Sequence, residues 1–258
     1  IDANGLKVTL DTIDSQDIVD GGKGTDTLSI VTVDATAPYT PTLTNIENVN
    51  VKFQAGSTID LVNATGVETV KVHNSTAAGT VASVAGATLS VANQKVDVNF
   101  DGSTAEKLNL NFDTVGTAAA AGSITVDLGV IDGSQATSFN IIAKDAYVTL
   151  KETAGTTAGA TTTSATIAAT GTNKIQFATS DLATIETLTV TGKGSVDLSG
   201  ANLAALKTLT AADGGVTVSA TGAVLETVTT GAGADTITAS TSALAATATI
   251  NLGAGDDL

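Results

Sequence analysis

The chain has 258 residues, 26 of them acidic and 11 basic, for a formal net charge of −15 and a pI near 4.1. The basic residues are all lysine, which argues against nucleic acid and polyanionic sugars as partners, because phosphate binding needs clustered basic charge. There is no cysteine, methionine or tryptophan, so disulfides, zinc-thiolate sites and a cysteine nucleophile are excluded, and no apolar run is long enough to insert in a membrane.

Residues 1–73 read as an acidic N-terminal β region. Asp2, Asp11, Asp14, Asp17, Asp20 and Asp26 punctuate strand-type alternation, and Gly21-Gly22-Lys23-Gly24-Thr25-Asp26-Thr27-Leu28 forms a glycine-rich turn. Asp17 precedes Asp26 by nine residues, as in a degenerate earlier copy of the same turn. A calcium ion near Asp17, Asp20 and Asp26 is one reading; a solvated acidic turn is the other.

After Pro38 and Pro41 a rung repeat begins. Ile46-Glu47-Asn48-Val49-Asn50-Val51 recurs as Val67-Glu68-Thr69-Val70-Lys71-Val72, and again from Ile185, Leu206 and Leu225. Neighbouring copies stand 21, 21 and 19 residues apart. Periods near 20 with β-type alternation predict a solenoid, each coil stacking its apolar rung on the next at the usual ~4.7–4.9 Å strand spacing. Alanine, valine, threonine and glycine suit its narrow core.

Residues 74–180 keep the strand chemistry but lose the period, as in Val96–Phe100, Leu108–Phe112, Ile124–Leu128 and Lys174–Phe177. Loops rich in Gly, Ala and Thr, such as 114–123 and 153–164, separate them. This pattern fits either a less regular, sandwich-like region or irregular coils. Brief helical turns fit near 181–186 and 201–205. The fold class predicted is all-β: an elongated parallel β-solenoid with a less regular middle.

Residues 181–258 regain the period and carry two further glycine turns. These are Thr230-Gly231-Ala232-Gly233-Ala234-Asp235-Thr236-Ile237 and Leu252-Gly253-Ala254-Gly255-Asp256-Asp257-Leu258. All three turns fit G-G-x-G-x-D-x-U-x, where U is a large apolar residue. Glycines allow a tight turn that aims carbonyls inward, and the aspartate adds a carboxylate; oxygens of both kinds suit a hard cation such as Ca²⁺. One turn supplies too few oxygens, so an ion must sit between stacked turns. Gly231 and Gly253 are 22 residues apart, one coil, which predicts that the two C-terminal turns stack and share an ion. The alternative is a plain turn before a strand.

Catalysis finds little footing. A Ser-His-Asp triad or zinc site needs histidine, and the only one, His73, sits on a predicted strand. Glu47, Glu68, Glu186 and Glu226 recur at one repeat position, which predicts a structural row; Lys207 between the last two relieves like-charge stacking. No enzymatic activity is expected.

The nonapeptides at 21–28, 230–237 and 252–258 resemble those of RTX (repeats-in-toxin) proteins. Together with the rungs and the cysteine-free, Thr- and Ala-rich composition, the chain resembles calcium-binding Gram-negative S-layer proteins, or closely related RTX surface adhesins. The resemblance implies type I secretion to the cell surface and calcium-driven folding and self-association into a lattice. Any anchoring to cell-surface polysaccharide would run through a region outside this sequence. It implies calcium ligation by Asp26, Asp235 and Asp257, with Gly21, Gly22, Gly24, Gly231, Gly233, Gly253 and Gly255, and Asp256 beside them. Thr230 and Leu252 depart from the family pattern in replacing the first glycine. A stalk or ligand-binding segment of an adhesin is the alternative function.

Overall fold

A computed structural model describes residues 7–10, 13–35, 38–119, 122–129, 136–151, 162–178, 183–220, 224–239 and 244–258. Asp2, Asp11, residues 153–161 of the second predicted loop and 181–182 of the first predicted helical turn lie outside them. The described chain is a right-through stack of parallel strands. Its first face runs β1 (Lys7–Leu10), β3 (Thr27–Thr32), β5 (Asn48–Phe53), β8 (Thr69–His73), β10 (Thr88–Gln94), β12 (Lys107–Val115) and the first half of β14 (Ser138–Lys151). It continues through β15 (Ser164–Thr170), β17 (Thr187–Gly192), β19 (Thr208–Ala211), β21 (Leu225–Thr229) and β23 (Leu244–Asn251).

The second face stacks β6 (Thr58–Asp60), β9 (Gly79–Ala82), β11 (Val98–Phe100), β13 (Ile124–Asp127) and the second half of β14. Then follow β16 (Thr172–Phe177), β18 (Ser195–Leu198), β20 (Val216–Ala220) and β22 (Thr236–Ala239). A short third face, β2 (Ile18–Asp20), β4 (Thr42–Thr44) and β7 (Ala64–Thr65), exists at the N-terminal end.

Register explains why these residues stack. Leu28, Val49, Val70, Leu89, Leu110, Ile141, Ile167 and Val190 are Cα partners in turn, each buried at the centre of its strand. A one-residue slip anywhere would send the whole apolar set to solvent. All five phenylalanines, Phe53, Phe100, Phe112, Phe139 and Phe177, lie in this core with at most 1 % exposure. Burying each such side chain stabilises by roughly 1.5–3 kcal/mol.

The middle of the chain is solenoid rather than sandwich. Its coils are merely longer: Leu110 pairs with Ile141, 31 residues on, and Ile141 with Ile167, 26 on. The strand segments on either side of the lengthened stretches keep the ladder. β14 serves both faces, turning at Asp145, which adopts a φ of 49°. Of the predicted helical turns, a single 3₁₀ turn forms at Ala183–Thr184, and residues 201–205 form a turn only. Lys207 does bridge its row: its Nζ lies 2.7 Å from Glu186 Oε1, and this hydrogen bond, aided by the charges of Glu186 and Glu226, favours the charged lysine.

Candidate functional site

The two C-terminal glycine turns lie at the same corner, between first and second faces, one directly on the other. Ala254 N donates to Gly231 O at 2.8 Å, Thr230 N to Asn251 O at 2.9 Å, and Leu258 N to Asp235 O at 2.8 Å. The Thr230 hydroxyl, where the repeat pattern has glycine, donates to Leu252 O at 2.6 Å and so ties the coils together. Glycine is required here by contact as much as by conformation. Gly253 has a φ of 80°, and a Cβ on it would overlap the Gly231 carbonyl oxygen; one on Gly233 would overlap Gly215 N.

Asp235 projects inward and is fully buried. Its Oδ1 accepts from Val216 N at 2.8 Å in the preceding coil, and its own N donates to Asp257 Oδ1 at 3.0 Å in the following one. Its Oδ2 is buried with no hydrogen-bond partner. An unpaired buried carboxylate oxygen is expensive, so the position calls for a proton donor or a cation.

The register supplies an internal control. Ala146, Asn173, Val196, Val216 and Asp235 occupy one column along the corner. Asn173, 1 % exposed, accepts from Ala146 N through Oδ1 at 3.1 Å, as Asp235 accepts from Val216 N. Its Nδ2 donates to Thr170 O and Ser195 O, both at 3.1 Å. By sequence offset and register, the residues equivalent to Thr170 and Ser195 are Ala232 and Asp256. Asparagine thus places a donor where Asp235 places an acceptor. Among the described residues no three acidic or histidine side chains cluster. A cation beside Asp235 would therefore complete its shell from backbone carbonyls, a donor set that suits Ca²⁺. Asp257 is partly exposed and Asp256 exposed on the outermost coil.

The N-terminal turn sits elsewhere, at the corner from third face to first face, beyond β2 and before β3. Gly22 and Gly24 take φ of 85° and 114°, and Gly21 N donates to Thr44 O at 3.0 Å. Asp26 is fully buried, and its N donates to Glu47 Oε2 at 2.7 Å. Asp20 and Asp17 are otherwise engaged. Asp20 Oδ1 accepts from Asn45 Nδ2 (2.9 Å) and Gly22 N (3.0 Å), which hold its carboxyl below the usual range. Asp17 Oδ2 accepts from Asp14 N at 2.8 Å. The structure thus brings Asp235 together with Gly231, Gly233, Gly253, Gly255 and Asp257. It does not join Asp17, Asp20 and Asp26 into one carboxylate cluster.

Two contributors escaped sequence reasoning. Asn173 carries no motif; only its place in the column reveals it. The turns Gly192-Lys193-Gly194 and Asp213-Gly214-Gly215 stack ahead of Gly231, since a Cβ on Gly214 would overlap Gly194 O. Their glycine spacing, near one coil, was the available signal. His73 points outward beside Asn74, with its Nδ1 2.9 Å from Asn74 Nδ2. Burial first, then Lys71 and Lys52, push its pKa down.

No family model matches the chain, and no curated protein or solved structure shows significant similarity to it. What fold and site define is a class: an all-β parallel solenoid with stacked glycine turns at one corner.

Proposed function

We propose that this chain is a structural segment of a Gram-negative surface layer, in which Ca²⁺ held at the C-terminal turns rigidifies the last coils and promotes assembly outside the cell. The observation that carries this reading is the buried Oδ2 of Asp235, an acceptor where Asn173 has a donor. Bound calcium would supply the positive charge that this oxygen and its neighbouring carbonyls lack. Asp235 and Asp257 link three successive coils through backbone N–H groups, so satisfying that corner orders all three. With a net charge of −15, the compact chain repels itself, and divalent ions relieve that repulsion.

The test is a calcium titration of the purified chain, following circular dichroism and particle size, with magnesium as control. A gain in β signal and particle growth at roughly 0.1–10 mM calcium, the range of weak extracellular sites, is expected. A chain fully folded in chelator, unchanged and monomeric with calcium, would refute the reading and favour an adhesin stalk.

A further inference from the structure

The chain's net charge hides a segregation that only the register exposes. On the outer side of the first face, from β5 to the first half of β14, the outward residues include Lys52, Lys71, Lys107 and Lys144, together with His73. Asp113 is the outward carboxylate before the Asp145 turn, and Lys144 already pairs with it at 3.2 Å; exposed Glu68 and Glu106 stand just before β8 and β12. Lys52 and Lys71 form no ion pair among the described residues, and both act on His73, so the local field is positive. Among the other outward positions are the amides Asn50, Asn111 and Asn140 and the half-exposed Ile142.

The second face is the reverse. Between β6 and β13 its outer side carries Asp60, Asp97 and Asp101, with Asp127 paired to Lys151 of β14 at 2.9 Å; the strands themselves hold no lysine, and Lys95 lies just before β11. Both faces pack their inward residues into one core, so the two patches look away from each other.

We propose that the outer side of the first face between β5 and β14 docks a second copy of this chain, which presents the acidic outer side of its second face between β6 and β13. The inference rests on the assembly reading above and assigns its contact. Complementary charge is the first ground: a basic patch on a strongly acidic chain has its best-matched partner in that chain itself. Level is the second. The two patches belong to the same coils (β5 with β6, β8 with β9, β10 with β11, β12 with β13), so copies set side by side bring coil against coil at one strand spacing.

Shape is the third. On β10 the outward residues Ser90 and Ala92 are small and only 7 % and 5 % exposed, so they floor a trough between Lys71 on β8 and Asn111 on β12. The acidic residues level with that trough are Asp97 and Asp101, which flank β11 of the same coil. Carboxylates there meet Lys71 from the β8 side and the Asn111 amide from the β12 side. Each copy keeps its opposite patch free for the next copy, so the contact is head-to-tail and extends as an open row.

Charge exchange tests this on the full chain. Lys52→Glu with Lys71→Glu reverses the charge at two basic positions of the first face; Asp97→Lys with Asp101→Lys reverses it at two acidic positions of the second. By sedimentation at fixed calcium, each variant alone should require about tenfold more protein or more to associate, and association of the parent should weaken with salt. Mixing the two variants in equal amounts should restore it, because each then meets its complement. The same comparison in chelator separates this contact from the calcium turns, which lie on other coils. Salt-sensitive association that the variants abolish there, despite a failed calcium response, retains the contact and rejects only the calcium reading. Lys52→Glu with Lys71→Glu associating like the parent, with unchanged circular dichroism, overturns the contact. So does failure of the mixture when both variants are folded, or absence of salt-sensitive association in both conditions.

Discussion

At Asp235 one atom decides the chemistry. Asn173 and Asp235 share a column, a shape and the Oδ1 contact to the preceding coil, and differ only in whether the second terminal atom donates or accepts. Asp235→Asn should therefore act oppositely in two media. Without divalent ions the amide can donate to the carbonyls of Ala232 and Asp256, removing a buried unpaired acceptor. The variant should gain stability in chelator, by about 1–3 kcal/mol. In calcium it should lose the added stabilisation that the parent shows. Urea unfolding of both proteins, with and without calcium, measures the crossover. Equal behaviour in chelator would mean that Oδ2 is satisfied by some other route.

At the scale of the coil, the corner turns set how closely neighbours approach. Gly253 lies against the Gly231 carbonyl with a φ of 80°, so Gly253→Ala adds both a left-handed backbone penalty and a steric conflict. The backbone term alone is about 1–2 kcal/mol. Hydrogen exchange in β21 and β22 should rise in this variant, while β5 and β8, many coils away, should keep parental rates. This locality follows from nearest-neighbour stacking. The same stacking determines what was legible beforehand. The rung repeat and the 22-residue spacing of Gly231 and Gly253 correctly announced a solenoid with paired turns, because both are local patterns repeated once per coil. The continuity of the middle was not legible: coils of 31 and 26 residues defeat a search for a fixed period, although Leu110, Ile141 and Ile167 remain in register. Nor was Asn173, whose meaning comes from partners 27 and 22 residues away in sequence. The Gly21–Asp26 turn matches the C-terminal pair in sequence, yet belongs to a different corner, because nothing in a nonapeptide records which face follows it.

Across the whole molecule, cohesion is uneven along the axis. Rungs from Leu28 to Val228 are sealed by a coil on either side, whereas Leu244 and Ile250 of β23 are 44 % and 46 % exposed and, among the described residues, pair on one side only. The described ion pairs reinforce the interior: Lys144–Asp113, Lys151–Asp127, Lys174–Asp197 and Lys207–Glu186 each join successive coils, and none reaches β23. In a one-dimensional stack, an end coil held by a single interface opens independently of the interior. Native-state hydrogen exchange in chelator should therefore show a gradient, slowest across β12 to β17 and fastest in β22 and β23. If calcium closes the Asp235 corner, saturating it should slow exchange selectively in β20 to β23. At one hundred times the dissociation constant the added protection is about 2.7 kcal/mol, close to a hundredfold in rate. Equal slowing of every strand would show instead that the chain opens as one unit, and that the end coils are not the place where calcium acts.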